Sequence, residues 1–229
     1  MESHASYLIA NKPSDEVWIS LEFFPPKTDK GVEHLYHMID TKLKALHPIF
    51  VDFTWGAGGS TSDLTLDLCI QARERYNLNP NMHLTCTNME EQKIHDALAG
   101  CEAAGIRNIV ALRGDPPVGQ EAWKATDSSF TCALDLIRFI RKEHGNKFCI
   151  AASGYPEGHP TNMTKIDDLN NLSASELGRV AKIVNDDGTE ELYVCLDADY
   201  AKEMQYLKEK VDAGANLIIT QLSLTLTSS

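Results

Sequence analysis

Basic residues are in short supply: 21 lysines and arginines stand against 33 aspartates and glutamates, a formal net charge of −12 over 229 residues. Binding a phosphate backbone draws on a clustered Lys/Arg surface. The balance therefore excludes a nucleic acid as partner while leaving room for a small anion in a local basic pocket. No CxxC pair occurs among the six cysteines, Cys69, Cys86, Cys101, Cys132, Cys149 and Cys195. They lie mostly in apolar runs, where a free thiol behaves as a small hydrophobe, so they read as packing residues. Neither a P-loop nor an HExxH pattern is present, and the eight histidines do not cluster at ligand spacing, so no metal site is expected. No stretch approaches the roughly 20 apolar residues of a membrane span, and residues 1–6 lack a basic segment leading into an apolar one. The sequence thus predicts a cytoplasmic protein with no membrane association, in which the glycosylation sequons at Asn162 and Asn171 are chance matches.

What the chain does have is a rhythm. Five times a short apolar run stops on polar or glycine-containing residues and hands over to a helical pattern. The stops are Glu22-Phe23-Phe24-Pro25-Pro26-Lys27, Thr54-Trp55-Gly56-Ala57-Gly58-Gly59, His83-Leu84-Thr85-Cys86-Thr87, Arg113-Gly114-Asp115-Pro116-Pro117 and Tyr155-Pro156-Glu157-Gly158-His159-Pro160. Strands are expected at residues 17–24, 50–55, 82–87, 108–112, 148–152 and 216–221. Helical stripes are expected over about 31–45, through Leu64, Leu68 and Ala72 behind the capping run Ser60-Thr61-Ser62-Asp63, and over about 90–104, 130–144 and 200–213. The alternation predicts a parallel sheet with right-handed crossovers. Strands that all point one way bring their C-terminal ends to one face, which makes the polar stops a candidate active site. Residues 161–199 break the rhythm with a polar stretch holding only a short helical pattern, an insertion on that face or a lid. Six strands do not close an eight-stranded barrel, and an open parallel edge is an aggregation liability, so the isolated chain is expected to be poorly folded or weakly active.

Taken one at a time, the stops leave alternatives open. Gly56-Ala57-Gly58-Gly59-Ser60-Thr61 follows a strand and opens a helix as a dinucleotide fingerprint does, but Thr61 holds the third glycine position. A tight turn explains it as well as phosphate contact. Glu22 lies between Leu21 and Phe23. Desolvation in such a strand would keep its carboxyl protonated near neutrality, as suits a general acid; facing solvent, or paired with Lys27, it would do neither. Arg113 and Asp115 bracket Gly114 at a strand end, as a site or as a structural ion pair. His83 alone would more often be a satisfied histidine than a catalytic one.

Six blocks in order nevertheless resemble the catalytic domain of the methylenetetrahydrofolate reductase family: residues 21–27, 52–59, 83–86, 112–117, 154–160 and Leu207-Lys208-Glu209-Lys210-Val211-Asp212-Ala213-Gly214-Ala215. The resemblance covers residues 17–221 and implies an α/β fold, a TIM-type (β/α)8 barrel that is incomplete, with about six of eight strands present. It implies a flavoprotein oxidoreductase that reduces 5,10-methylenetetrahydrofolate to 5-methyltetrahydrofolate in one-carbon and methionine metabolism. FAD is the implied cofactor and NADPH or NADH the electron donor. By the same resemblance Glu22 is the general acid, Asp115 the carboxylate near flavin and folate, and Gln221 the amide that contacts the pterin. Thr54, His83, Arg113, Gly114, Asp115, Ala133, Tyr155, His159, Glu203 and Lys210 would hold FAD, with Arg113 and Lys210 at its phosphates. Dimers are the family's expectation. The chain divides into an N-terminal extension (1–16), the reductase barrel (17–221, with the insertion at about 161–199) and a tail (222–229) unlike the family's last two strand–helix units. The alternative is a non-catalytic truncated variant that binds flavin weakly or associates with full-length subunits. A phosphate-binding lyase or aldolase barrel would require a Schiff-base lysine or a metal cluster at a strand end.

Overall fold

Short runs rich in β-branched and aromatic residues alternate with longer amphipathic stretches, and they fold as strands and helices in that order. A computed structural model describes residues 2–56, 61–86, 90–114 and 130–221. Helix α1 (Ala5–Ala10) precedes β1 (Leu21–Phe23) and α2 (Asp29–Met38), which continues through a π turn (Ile39–Leu43) and a 3-10 turn (Lys44–Leu46). Then come β2 (Val51–Phe53), α3 (Ser62–Tyr76), β3 (Pro80–Thr85), α4 (Glu91–Ala103), β4 (Asn108–Leu112), α5 (Ala133–His144) and β5 (Cys149–Gly154). They are followed by β6 (Thr164–Ile166), α6 (Ala174–Leu177), β7 (Ala181–Val184), β8 (Glu190–Val194), α7 (Asp197–Asp212) and β9 (Leu217–Thr220). The main sheet has the order β1-β2-β3-β4-β5-β9. From β1 to β5 every neighbouring pair is parallel, with Glu22 beside Asp52, Asp52 beside Asn81, Asn81 beside Asn108 and Asn108 beside Cys149. Parallel strands laid down in chain order with helices between them are the (β/α)8 pattern, of which six strands are an incomplete set. Among the described residues no helix is long and apolar enough to cross a membrane.

The chain forms two compact units, residues 1–152 with 213–217, and residues 153–212 with 218–229. In the first, the period of two along each strand sorts the side chains. Val51, Phe53, Met82, Leu84, Ile109, Ala111, Ile150 and Ala152 join Leu68, Ile94, Leu98, Leu136, Ile137 and Ile140 in one buried core. Each large side chain so buried contributes about 1.5–3 kcal/mol. The alternate positions Asp52, Asn81 and Asn108 are polar and buried. Asn108 takes the Ala5 N–H on Oδ1 at 2.6 Å, and its amide donates to Ser3 O, Asn79 Oδ1 and Pro80 O at 3.0–3.2 Å. The start of the expected N-terminal extension is thereby tied to the strands. Arg141 secures the other contribution to this unit: it donates to Gly214 O at 2.7 and 3.0 Å and to Asn216 Oδ1 at 2.6 Å. The same guanidinium reaches Gly145 O and Phe148 O at 2.8 and 2.9 Å.

Two expectations are corrected. The first strand is three residues long rather than eight, and Val17 is 89% exposed. β1 ends the sheet order, so only β2 pairs with it, and the apolar run 17–20 lies outside the ladder. Residues 161–199 are not merely polar loop but hold a three-stranded antiparallel sheet, order β6-β8-β7. Its hairpin closes where Asn185 N–H bonds Thr189 O and Gly188 N–H bonds Asn185 O, both at 2.9 Å. Ser173 and Glu176 form a reciprocal capping box on α6. Arg179, 7% exposed, donates to Cys195 O and Asp197 and lies 4.1 Å from the Tyr200 ring.

Four carboxylates in this segment are held below their ordinary range. Glu176 is lowered by the Ser173 and Asp197 backbone N–H groups, Asp187 by the Thr189 hydroxyl and then its N–H, Glu191 by Lys165 and then Tyr193, and Asp197 by Arg179 and then Ser173. A depressed carboxyl contributes stability that is complete above its unfolded value, about 3.9–4.3 for Asp and Glu, and that fades as pH falls through the folded one. Acidification from pH 6 towards pH 3 is therefore expected to strip hydrogen-exchange protection from β6, β7 and β8 before β2, β3 and β4. Exchange followed by mass spectrometry, corrected for intrinsic rates, would refute this if both groups of strands opened together.

Candidate functional site

In the first unit the residues with chemistry lie at and between the strand ends. Asp52, 5% exposed, accepts on Oδ1 from Asn81 Nδ2 at 2.8 Å, and His83 Nε2 lies 3.3 Å from the same oxygen. Among the described residues Asn81 Oδ1 and Thr85 Oγ1 have no hydrogen-bond partner, and both are buried. Along β3, Asn81, His83 and Thr85 alternate with core residues Met82 and Leu84, so all three belong to the face opposite the helices. Thr54 follows β2: its N–H bonds Phe23 O at 3.0 Å, and its carbonyl accepts from Thr65 Oγ1 at 3.0 Å. Thr61, which broke the glycine pattern, accepts the Gly56 N–H on its hydroxyl at 2.8 Å. The side chain that departs from the fingerprint helps to close the turn.

Arg113 and Gly114 leave β4, and Gly114 has φ of 92°. The Cys86 thiol points at Arg113 O, 3.7 Å away, and burial pushes it up to about 12. Cys101, also pushed to about 12 by burial, and the fully buried Cys69 behave likewise, which agrees with their reading as packing residues. Ala133 opens α5 and is 5% exposed. Asp115 lies outside the described residues, as does the tail 222–229. Of the two readings left open for Glu22, the structure shows the solvent-facing one: the residue is exposed, and among the described residues no ion pair joins it to Lys27. As the middle residue of β1 it projects from the face opposite Leu21 and Phe23, and among the described residues no apolar group covers it.

The second unit brings four expected residues into two arrangements. The rings of Tyr155 and His159 meet edge to face at 4.6 Å, across a turn closed by Gly158 N–H to Tyr155 O at 3.1 Å. His159 Nδ1 accepts the Thr161 N–H at 3.3 Å and lies 2.7 Å from its hydroxyl. Glu203 accepts from Asn162 Nδ2, which ties this turn to α7. Lys210, 5% exposed, donates to Ser153 O at 2.7 Å and sits 4.8 Å from the Tyr206 ring centroid. Gln221 is exposed, and its N–H bonds Gly154 O at 2.8 Å.

Asp52, Asn81, Thr161 and Asn162 escaped sequence reasoning. The signal for Asp52 was available: it is an acid inside the apolar run Phe50-Val51-Asp52-Phe53, the same anomaly that drew attention to Glu22. Its partners, 29 and 31 residues away, were not legible.

A family model described as Methylenetetrahydrofolate reductase matches residues 8–182. Methylenetetrahydrofolate reductase (NADH) 1 of Arabidopsis thaliana is 43% identical over 203 residues, 89% of this chain and 30% of that protein. Methylenetetrahydrofolate reductase 2 of Schizosaccharomyces pombe is 36% identical over 94% of this chain and 29% of its own length. A probable methylenetetrahydrofolate reductase (NADPH) of Caenorhabditis elegans is 31% identical over 90% of this chain and 26% of its own. The chain thus spans about 30% of the length of these curated relatives.

Proposed function

Because the chain belongs to the methylenetetrahydrofolate reductase family, we propose that it carries the flavin-binding and proton-donating part of a reductase that converts 5,10-methylenetetrahydrofolate to 5-methyltetrahydrofolate with NADH or NADPH. The observation that carries this reading is unspent polar capacity on the sheet of the first unit. Asn81 Oδ1 and Thr85 Oγ1 are buried on either side of His83 without partners among the described residues. A buried polar atom left unpaired costs about 1–3 kcal/mol, so such atoms mark a place where a ligand or water is meant to sit.

The residues present fit FAD. Each unit by itself offers groups that suit parts of FAD: in the first, Arg113 is a cation for a phosphate and Thr54 and Thr85 are partners for hydroxyls; in the second, Lys210 is a cation and Tyr155 and His159 are flat neighbours for a ring system. When bound, FAD supplies the hydride relay between nicotinamide and folate. Lys210 is already desolvated and pinned on Ser153 O, so little side-chain freedom remains to be lost when an anion arrives. Glu22 is assigned the proton, Gln221 the pterin and Asp115 the charge beside the flavin. Residues 17–221 are the barrel portion, and a homodimer in the cytoplasm is the expected setting. Both NADH and NADPH occur in the names of relatives, so the donor is assigned as either.

The exposure of Glu22 favours one alternative, a flavin-binding chain without turnover of its own. The test is the visible spectrum of the chain after FAD is added and the excess removed by gel filtration. Retained flavin in a single peak is expected, with affinity about tenfold or more lower for Lys210→Met, the loss of one charge-assisted hydrogen bond. A flavin-free peak would defeat the cofactor assignment for this chain.

A further inference from the structure

We propose that Asp52 is a positioning residue for His83: its Oδ1 holds the imidazole with the proton on Nε2 and the lone pair on Nδ1, so that His83 meets a ligand hydroxyl as a hydrogen-bond acceptor. The inference rests on the FAD reading and narrows it, since hydroxyl-bearing groups of that ligand are what such an Nδ1 takes. Asp52 stands between the buried core residues Val51 and Phe53 and is 5% exposed. A carboxylate so placed is costly unless donors face it. Two do, and both use one oxygen: Asn81 Nδ2 at 2.8 Å and His83 Nε2 at 3.3 Å. An ionised carboxylate only accepts, so the hydrogen in the second contact belongs to the ring, and a neutral imidazole protonated at Nε2 has its lone pair on Nδ1. Asn81 fixes the carboxylate from the neighbouring strand, where Asp52 and Asn81 are register partners. The His83 side chain is 13% exposed, which limits the water that could compete with Asp52.

Reliance on a single oxygen makes the contact testable. Asp52→Asn removes the charge and puts an NH2 donor in place of Oδ2, but the Asn81 amide that donates to Oδ1 keeps the carbonyl oxygen at that position as the acceptor; Asp52→Ala removes the acceptor. Ring-15N histidine spectra of the full chain without flavin, with His83 assigned by its disappearance in His83→Gln, should show one tautomer, protonated at Nε2, in the parent and in Asp52→Asn. Asp52→Ala should show both tautomers. In flavin titrations Asp52→Ala is expected to weaken FAD binding about tenfold, as removing a partner that orients a histidine typically does, while Asp52→Asn stays near the parent. In the His83→Gln background Asp52→Ala should add nothing further, because the two residues act as one. A parent His83 protonated at Nδ1, a tautomer unchanged by Asp52→Ala, or an equal loss of affinity with and without His83 would each overturn the proposal. Should Asp52→Ala fail to fold, the parent spectrum still decides. A parent chain that binds no FAD defeats the cofactor reading alone, because the ring spectra are recorded without it.

Discussion

Under the proposed function, Glu22→Gln is expected to lower methylenetetrahydrofolate reduction by about 10²–10⁴-fold, the usual share of a positioned general acid, while flavin retention and the unfolding midpoint stay where they are. Reduction of the folate opens a five-membered ring at a carbon–nitrogen bond, and the departing nitrogen must receive a proton. An amide of the same size has none to give. Nothing else should change, because Glu22 is exposed in the middle of β1 and makes no side-chain bond among the described residues. Surface substitutions of that kind usually stay within about 0.5 kcal/mol. The exposure assigns a task to the substrate: with no described protein group covering the carboxyl, the arriving ligand itself must displace water from it. Steady-state reduction with NADH and NADPH in parallel is the measurement. A variant that turns over at the parent rate removes Glu22 from the acid role, and a parent chain with no turnover leaves the non-catalytic alternative standing.

Where apolar patterning and packing agree, the sequence was legible. β4 falls at Asn108–Leu112, the run expected for it, because Ile109 and Ala111 face the core while Val110 is nearly as buried on the other side. Helix α4 ends at Ala103 before Gly105, whose φ of 72° is open to glycine at no steric cost. Legibility failed at the edges. Residues 17–20 look like strand by composition, yet a ladder needs a neighbour, and Ile19 offers only its carbonyl to Ile49 N–H at 2.9 Å. β6 and β7 gave no period-two signal because neither buries a face; Ile183 and Val184 are adjacent and both exposed. Their structure is carried by turn and cap bonds between polar residues, a logic that hydrophobic periodicity does not report. At the candidate site the residue types were readable and the pairings were not. The acid facing His83 sits on another strand, and only the register of β2 against β3 brings them together.

Gly158→Ala is expected to destabilise the second unit by several kcal/mol and to abolish flavin retention with it. Gly158 has φ of 111°, a conformation that costs a residue with a Cβ about 1–3 kcal/mol. The added Cβ would lie 2.4 Å from Cys195 Cβ and 2.7 Å from its Sγ. Cys195 is fully buried at the end of β8, and its carbonyl accepts from the Arg179 guanidinium at 3.2 and 3.4 Å. Retreat by Cys195 would therefore disturb the bonds by which Arg179 holds the chain between β8 and α7, while retreat by Gly158 would open the turn that sets Tyr155 against His159. The overlap and the backbone strain can be separated. Cys195→Ala keeps the nearer of the two colliding atoms and should recover little. Cys195→Gly removes both, so the double variant should regain the overlap part of the loss and keep the strain part, a non-additivity that neighbours in contact are expected to show. Urea unfolding of the parent, the single variants and both double variants measures each contribution. Equal losses with Ala and Gly at position 195 would mean that strain alone excludes a side chain at 158, and an unchanged Gly158→Ala midpoint would mean that the turn gives way without cost to the fold.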